Sequence, residues 1–280
     1  MRKFILFLLI SFCLVGKVWA VDYTADVNCT GAWTMDVDEN PIDDVSANSN
    51  TGALKGTGEP DYATATPPAV YSIGYYTGDG SDDYVNLGTS DMFIEAKPMS
   101  IVAWIYPETL GGNSLGRIVM KRNSEATNTG ISLSIAANYA VDFRVSGTTT
   151  LDHKTSTGRY PQNTWTHIAV SWDGTTEADN APLYYNGVLE TSYLIATDGN
   201  TLGNTAGQPT YLFNNVAGNR GWDGSEDEVA FFNDILTSTE INDIMDNGLV
   251  GGGAPPAAAD TYFMDKIGRG IGIGFLRGGR

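Results

Sequence analysis

From Ala32 to Asn233 the chain is written in short runs of β-branched and aromatic residues, cut off again and again by clusters of Gly, Asn, Asp and Thr. Runs of this kind are half-buried strands, and turn residues at such close spacing restrict the chain to an antiparallel sandwich or barrel. The clearest strands are 71–76, 84–87, 100–106, 117–121, 131–135, 141–145, 164–172 and 183–185. In Ser100-Ile101-Val102-Ala103-Trp104-Ile105-Tyr106 and Trp165-Thr166-His167-Ile168-Ala169-Val170-Ser171-Trp172, neighbouring side chains point to opposite faces, so each run can give one face to a core. These two read as central strands. Asn186-Gly187 readily takes the positive φ angles of a two-residue hairpin turn, which folds Val188–Tyr193 back against Leu183–Tyr185. One helix stands out at Thr237-Ser238-Thr239-Glu240, where a hydroxyl and a carboxylate three residues on satisfy free amides reciprocally. Ile241, Ile244 and Met245 follow on one face, and Asn247-Gly248 supplies the stop.

The chain ends read differently from the body. Met1–Ala20 carries Arg2 and Lys3, an apolar run from Phe4 to Val15 and a small-residue stop at Ala20, the pattern of a secretory signal peptide. The run is shorter than the ~20 apolar residues of a membrane span. Residues 21–250 then form one domain, 251–259 (Gly-Gly-Gly-Ala-Pro-Pro-Ala-Ala-Ala) a linker too poor in bulky groups to pack, and 260–280 a basic tail.

Charge narrows the partners. The full chain has 16 basic and 33 acidic residues; without Arg2, Lys3 and Lys17 the balance is 13 against 33, a net charge of −20. Such a surface repels nucleic acid and anionic lipid and suits a calcium ion or a neutral glycan. Removal of the leader leaves Cys29 as the one cysteine, so stability rests on the core and not on an internal disulfide. Only His153 and His167 are histidines, which argues against multi-histidine metal sites and a Ser-His-Asp triad.

Trp165 to Gly174 followed by Leu183 to Val188 resembles the central hairpin of laminin-G-like, concanavalin A-like domains. Three more pieces agree in order: Gly80-Ser81-Asp82-Asp83-Tyr84-Val85 with an early strand, Met99 to Pro107 with the next long one, and Gly224-Ser225-Glu226-Asp227-Glu228-Val229 to Ile241 with the closing strand and terminal helix. The resemblance covers roughly 32–249 and implies an all-β, two-sheet antiparallel jelly-roll sandwich with one short C-terminal helix.

The resemblance also implies a calcium site. An Asp- and Asn-rich loop after the first strand, here with Asp44 and Asn48, would share the ion with Asp227 of the closing strand, and oxygen-rich loops are what this hard cation coordinates. Glu226 departs from the family pattern, where an apolar residue is usual. Glycanases of this fold space three acidic residues at alternate positions, whereas Glu226, Asp227 and Glu228 are consecutive; simple alternation puts Glu226 and Glu228 on one face and Asp227 on the other. The chain is therefore expected not to be an enzyme. Among the tryptophans, Trp104, Trp165 and Trp172 read as core, and Trp222, between Asn219-Arg220-Gly221 and Asp223-Gly224, reads as an exposed ring on which a sugar can stack.

The tail has two readings: a disordered end, or a strand (Ile271 to Leu276) that adds to a neighbouring sheet edge for self-assembly. The sequence thus predicts a secreted, non-catalytic module at a cell surface that binds a glycan or an extracellular protein, with a structural calcium. The alternatives are a subunit of an extracellular filament or coat, and a glycoside hydrolase acting through Glu226 and Glu228.

Overall fold

The computed structural model describes residues 21–251 apart from 70, 93–97, 123–128, 147–149, 156–157, 159, 200–204 and 216. The expected signal peptide, nearly all of the linker and the basic tail lie outside the described residues. The strands are β1 (Cys29–Trp33), β2 (Ala53–Lys55), β3 (Asp61–Ala63), β4 (Tyr75–Asp79), β5 (Tyr84–Asn86), β6 (Met99–Pro107), β7 (Arg117–Lys121) and β8 (Gly130–Ala136). They continue with β9 (Ala140–Ser146), β10 (Thr150–Thr155), β11 (Thr166–Trp172), β12 (Leu183–Tyr185), β13 (Val188–Leu189), β14 (Tyr193–Thr197), β15 (Thr210–Leu212) and β16 (Asp223–Phe232), before the helix α1 (Ser238–Asn247). The first sheet runs β13-β12-β11-β6-β16-β4-β3, with β1 also on β16; the second runs β14-β10-β9-β8-β7-β15-β5-β2. All pairings are antiparallel, as the jelly-roll expectation requires.

Alternation along the strands sorts the side chains into layers. Ile101, Ala103 and Ile105 of β6, Ile168, Val170 and Trp172 of β11, and Leu133, Val141 and Phe143 of the second sheet meet between the sheets in one core. The intervening residues of the first sheet, Val102, Ala169, Ala230 and Phe232, form a second cluster with Ile241 and Ile244 of α1. The helix therefore covers the outer face of that sheet. Its start is the expected capping box: Thr237 Oγ1 accepts from the Glu240 amide and Glu240 Oε2 from the Thr237 amide. Gly248, at φ 79°, turns the chain out of it.

The structure departs from the expected strands at two places. The run 71–76 becomes a strand only from Tyr75, because Ser72 donates to the Asp227 carboxylate and the Ile73 amide to Asp36 Oδ1 in place of a neighbouring strand. The return strand after Asn186-Gly187 pairs over Val188–Leu189 only; the chain then crosses to the second sheet, where Tyr193–Thr197 pairs with β10.

A third departure bears on chemistry. Between Asp227, opposite Trp104, and Ala230, opposite Val102, β16 holds one residue more than β6. This is a β-bulge, with Glu228 at φ 49° as the extra residue, and it breaks the alternation. Glu226 shares its cross-strand row with Ile105 and Tyr76, both core residues, so it points between the sheets. Glu228 reaches the other way, its Oε2 accepting from the Leu249 amide beside the helix. The expectation that Glu226 and Glu228 share one face is thus corrected by a single inserted residue.

Candidate functional site

The outer face of the second sheet carries no helix among the described residues. Cross-strand pairing aligns Asn86, Tyr211, Met120, Ser132, Arg144 and Asp152 in one row across it. The middle of the row is buried and its ends are open. At the β9–β10 end Arg144 bridges Asp142 and Asp152, each at 3.0 Å, and Lys154 lies 3.6 Å from Asp142. Asp142 has no exposed side-chain surface, and its carboxyl is pushed up to about 7 by burial and by Asp152 against the pull of the two cations.

At the β2–β5–β15 end lies a cleft of about 460 Å³, lined by Lys55, Gly56, Thr57, Asp82, Tyr84, Tyr211, Asn215, Ala217 and Gly218. The strand period decides its floor: Val85 and Leu212 point into the core, so Tyr84 and Tyr211 point out, and their rings meet edge to face at 5.5 Å and 83°. Polar groups rim this aromatic floor. Asp82 Oδ2 accepts from the Thr57 hydroxyl and amide, and Lys55 stands across from Tyr84. Asn215, Ala217 and Gly218 close the far wall, and Asn214 before them is held by its side-chain amide on the Ser81 and Asp83 carbonyls. Gly221 packs its backbone against Gly80 and Ser81, where a Cβ would come within 2.5 Å. Apolar ring faces framed by donors and acceptors are what a sugar ring needs, with its C–H face on one side and hydroxyls at its edge.

Behind the cleft the carboxylates of Asp79, Asp82 and Asp83 converge, each offering an oxygen within 4.8 Å of the others. Asp83 Oδ2 accepts from the Asp79 amide, and its carboxyl is pushed up to about 6, by burial first and then by its acidic neighbours Asp79, Asp82 and Asp61.

The family model described as the concanavalin A-like lectin/glucanases superfamily matches residues 79–242, more than half the chain. The chain belongs to that superfamily. The match begins at the turn behind the cleft and ends inside α1. Among solved structures, domain 4 of a GH43 extracellular arabinanase from Geobacillus stearothermophilus, in complex with arabinotriose, superposes with a TM-score of 0.60 at 20% identity, over 78% of this chain and 98% of that one. The binding domain of Paraclostridial Mosquitocidal Protein 1 gives 0.55 at 15% identity, over 78% and 52%. The binding domain of botulinum neurotoxin DC, in complex with SialylT, gives 0.54 at 16%, over 78% and 51%, so this chain spans about half the length of these toxin domains. At such identities the likeness is one of fold. No curated protein sequence matches the chain. No helix among the described residues is long and apolar enough to cross a membrane.

Within this superfamily member the residues predicted from sequence lie in the loop after β1, on β16 and just before it. Asp44 is buried in the loop after β1 and accepts from the amides of Ala32, Ser46 and Asn50. Asn48, in the same loop, donates to the Cys29 carbonyl. Asp227 is wholly buried on the outer face of the first sheet, next to Ser72 and Glu228, its carboxyl held well above the usual range by burial and by the Glu228 charge. The converging acidic oxygens near the cleft include none of the three. Trp222 is no surface ring: it has no exposed area and belongs to the core, its backbone amide on the Phe213 carbonyl. The glycines around it let the chain turn tightly enough to point the indole inward. Trp165, expected in the core, is instead half-exposed. The floor of the cleft, Tyr84 and Tyr211, was missed, although Tyr84 beside the buried Val85 already carries the alternation that exposes it.

Proposed function

We propose that the chain is an exported, non-catalytic binding module that takes a glycan in the cleft between Tyr84 and Tyr211. The observation that carries this reading is the outward-facing tyrosine pair framed by Lys55, Thr57, Asp82 and Asn215. The arabinotriose complex of a domain of the same fold supports a sugar ligand for this architecture. Neither Glu226, between the sheets, nor Glu228, at the Leu249 amide, lines this cleft, so hydrolysis through that pair finds no support. The test is titration calorimetry with arabinotriose and with hits from a glycan array. Tyr211→Ala and Tyr84→Ala should each weaken binding about tenfold, since a lost stacking contact is worth about 1.4 kcal/mol or less beyond its area. Unchanged affinity in both variants would refute the cleft.

A structural calcium belongs to the same proposal, with Asp44, Asn48 and Asp227 as its expected oxygen donors. An ion bound by the native state alone raises the unfolding temperature, and a chelator should lower it. If Asp227→Asn abolishes the difference, the ion sits with that residue; if the difference survives, other oxygens hold it; and no difference at all removes calcium from the reading.

A further inference from the structure

A second pocket lies on the opposite side of the sandwich, independent of the tyrosine cleft. On the outer face of the first sheet, Tyr106, Ser225 and Thr77 form one cross-strand row. Trp165, just before β11, stands against two rings there: Tyr75 at 5.2 Å and 79°, and Tyr106 at 5.5 Å and 54°. These three steeply inclined rings, with Thr66, Thr77, Ser225 and Glu108, enclose about 170 Å³. That is below the several hundred Å³ of a pocket for an extended ligand and fits a single head group.

Two pairs of polar groups in this pocket are spent on each other. The Trp165 indole N–H donates to the Thr66 carbonyl, and the hydroxyls of Thr77 and Ser225 bond to one another at 2.8 Å. What the lining has left to offer is ring surface, the hydroxyls of Thr66, Tyr75 and Tyr106, and the exposed Glu108, and it contains no Lys, Arg or His. A sugar, with a hydroxyl on nearly every carbon, would ask for more directional partners than a few hydroxyls in so small a volume, and an anion would meet a carboxylate on an acidic protein. A cation that needs no hydrogen bonds is the complement: aromatic faces attract positive charge within about 6 Å of the ring centroid, and a nearby carboxylate adds to the pull.

We propose that Tyr75, Tyr106, Trp165 and Glu108 form an aromatic cage for the quaternary ammonium head of an organic cation. The probe is choline chloride added to the full chain, followed by the indole N–H resonance of Trp165 in a 15N-labelled sample, assigned from its absence in Trp165→Phe. Choline should shift that resonance to saturation, Tyr75→Ala should weaken the affinity at least tenfold, and Glu108→Gln, at an exposed position, several-fold with loss of its salt dependence. Tyr211→Ala should leave choline binding intact, which separates this pocket from the glycan cleft whatever the fate of that reading. Absence of a saturable shift with choline overturns the cage. So does a shift produced by methyl glucoside and not by choline, which would make the pocket a sugar subsite, and so does choline binding of wild-type strength in both Tyr75→Ala and Glu108→Gln.

Discussion

His167 gives the sharpest test of how this sandwich handles buried polarity. Its ring is wholly buried, edge-on to Trp104 at 5.3 Å, and neither ring nitrogen has a hydrogen-bond partner among the described residues. Its backbone amide bonds to Asn186 Oδ1, so the hairpin fixes the residue and the ring must follow. Burial alone pushes the imidazole down to about 3, from 6.5 when unperturbed. The sign follows from proton uptake. Below pH 6.5 the unfolded chain binds a proton that the folded chain refuses until about pH 3, so this residue's contribution is intact above pH 6.5 and is lost as the pH falls. At pH 5 the loss is about 1.5 pH units, or about 2 kcal/mol, whatever the folded value so long as it lies well below 5. His167→Phe keeps a ring against Trp104 and removes the titration. Urea unfolding of both proteins at pH 7 and pH 5 isolates the effect, because every carboxylate is common to the pair. The stability difference should move by about 2 kcal/mol in favour of the variant on acidification, even if the altered volume of phenylalanine offsets the pH 7 baseline. An identical difference at the two pH values would refute the reasoning, since it would mean an imidazole that finds water or a partner.

Two further predictions follow from the same burial. Asp142, raised to about 7 chiefly by burial, stabilises the fold only while protonated, so its contribution is present below the unfolded carboxylate value and lost as the pH rises through 7; Asp142→Asn should gain stability relative to wild type between pH 5 and 8 in the same unfolding assay. Trp222→Ala should cost about 3–5 kcal/mol of stability, as truncation of a fully buried tryptophan does, where the surface reading of that residue predicts lost ligand binding at unchanged stability; thermal unfolding beside a glycan titration separates the two.

What the sequence disclosed and what it hid divide along one physical line. Period-two alternation and local turn chemistry are written in adjacent residues, so β6, β11, the Asn186-Gly187 hairpin and the Thr237–Glu240 capping box were all legible, as was the two-sheet architecture through the order of its motifs. Short strands such as β2, β3 and β15 were not, because three residues show no period and gain their strand geometry from Val85 or Tyr76 across the sheet. The tryptophans failed for a related reason. Exposure of Trp165 and Trp222 depends on whether another segment lies over them; for Trp222 that is set by the crossing of Asn214 and Trp222 against turn 79–83, a contact between distant parts of the chain.

The bulge in β16 shows how far one local feature can redirect a functional reading. Glycoside hydrolysis needs two carboxyl groups facing one sugar at a fixed separation, with water or the nucleophile between them. Without the bulge, Glu226 and Glu228 would project side by side from one face of a central strand. The extra residue sends Glu226 into the interior beside Tyr76 and Ile105, and Glu228 toward the last turn of the helix. Regular alternation through all of these residues would turn the rest of the strand by one face, so Phe231 would leave the core for the helix side and Phe232 would enter it; the one extra residue in the bulge keeps Phe231 opposite Ile101 in the core and Phe232 opposite Ser100 on the helix side. The bulge is therefore what reconciles two apolar faces on one strand, a core-facing half that pairs with β4 and a later half that pairs with β1 under α1. The acidic triplet sits at the junction between them.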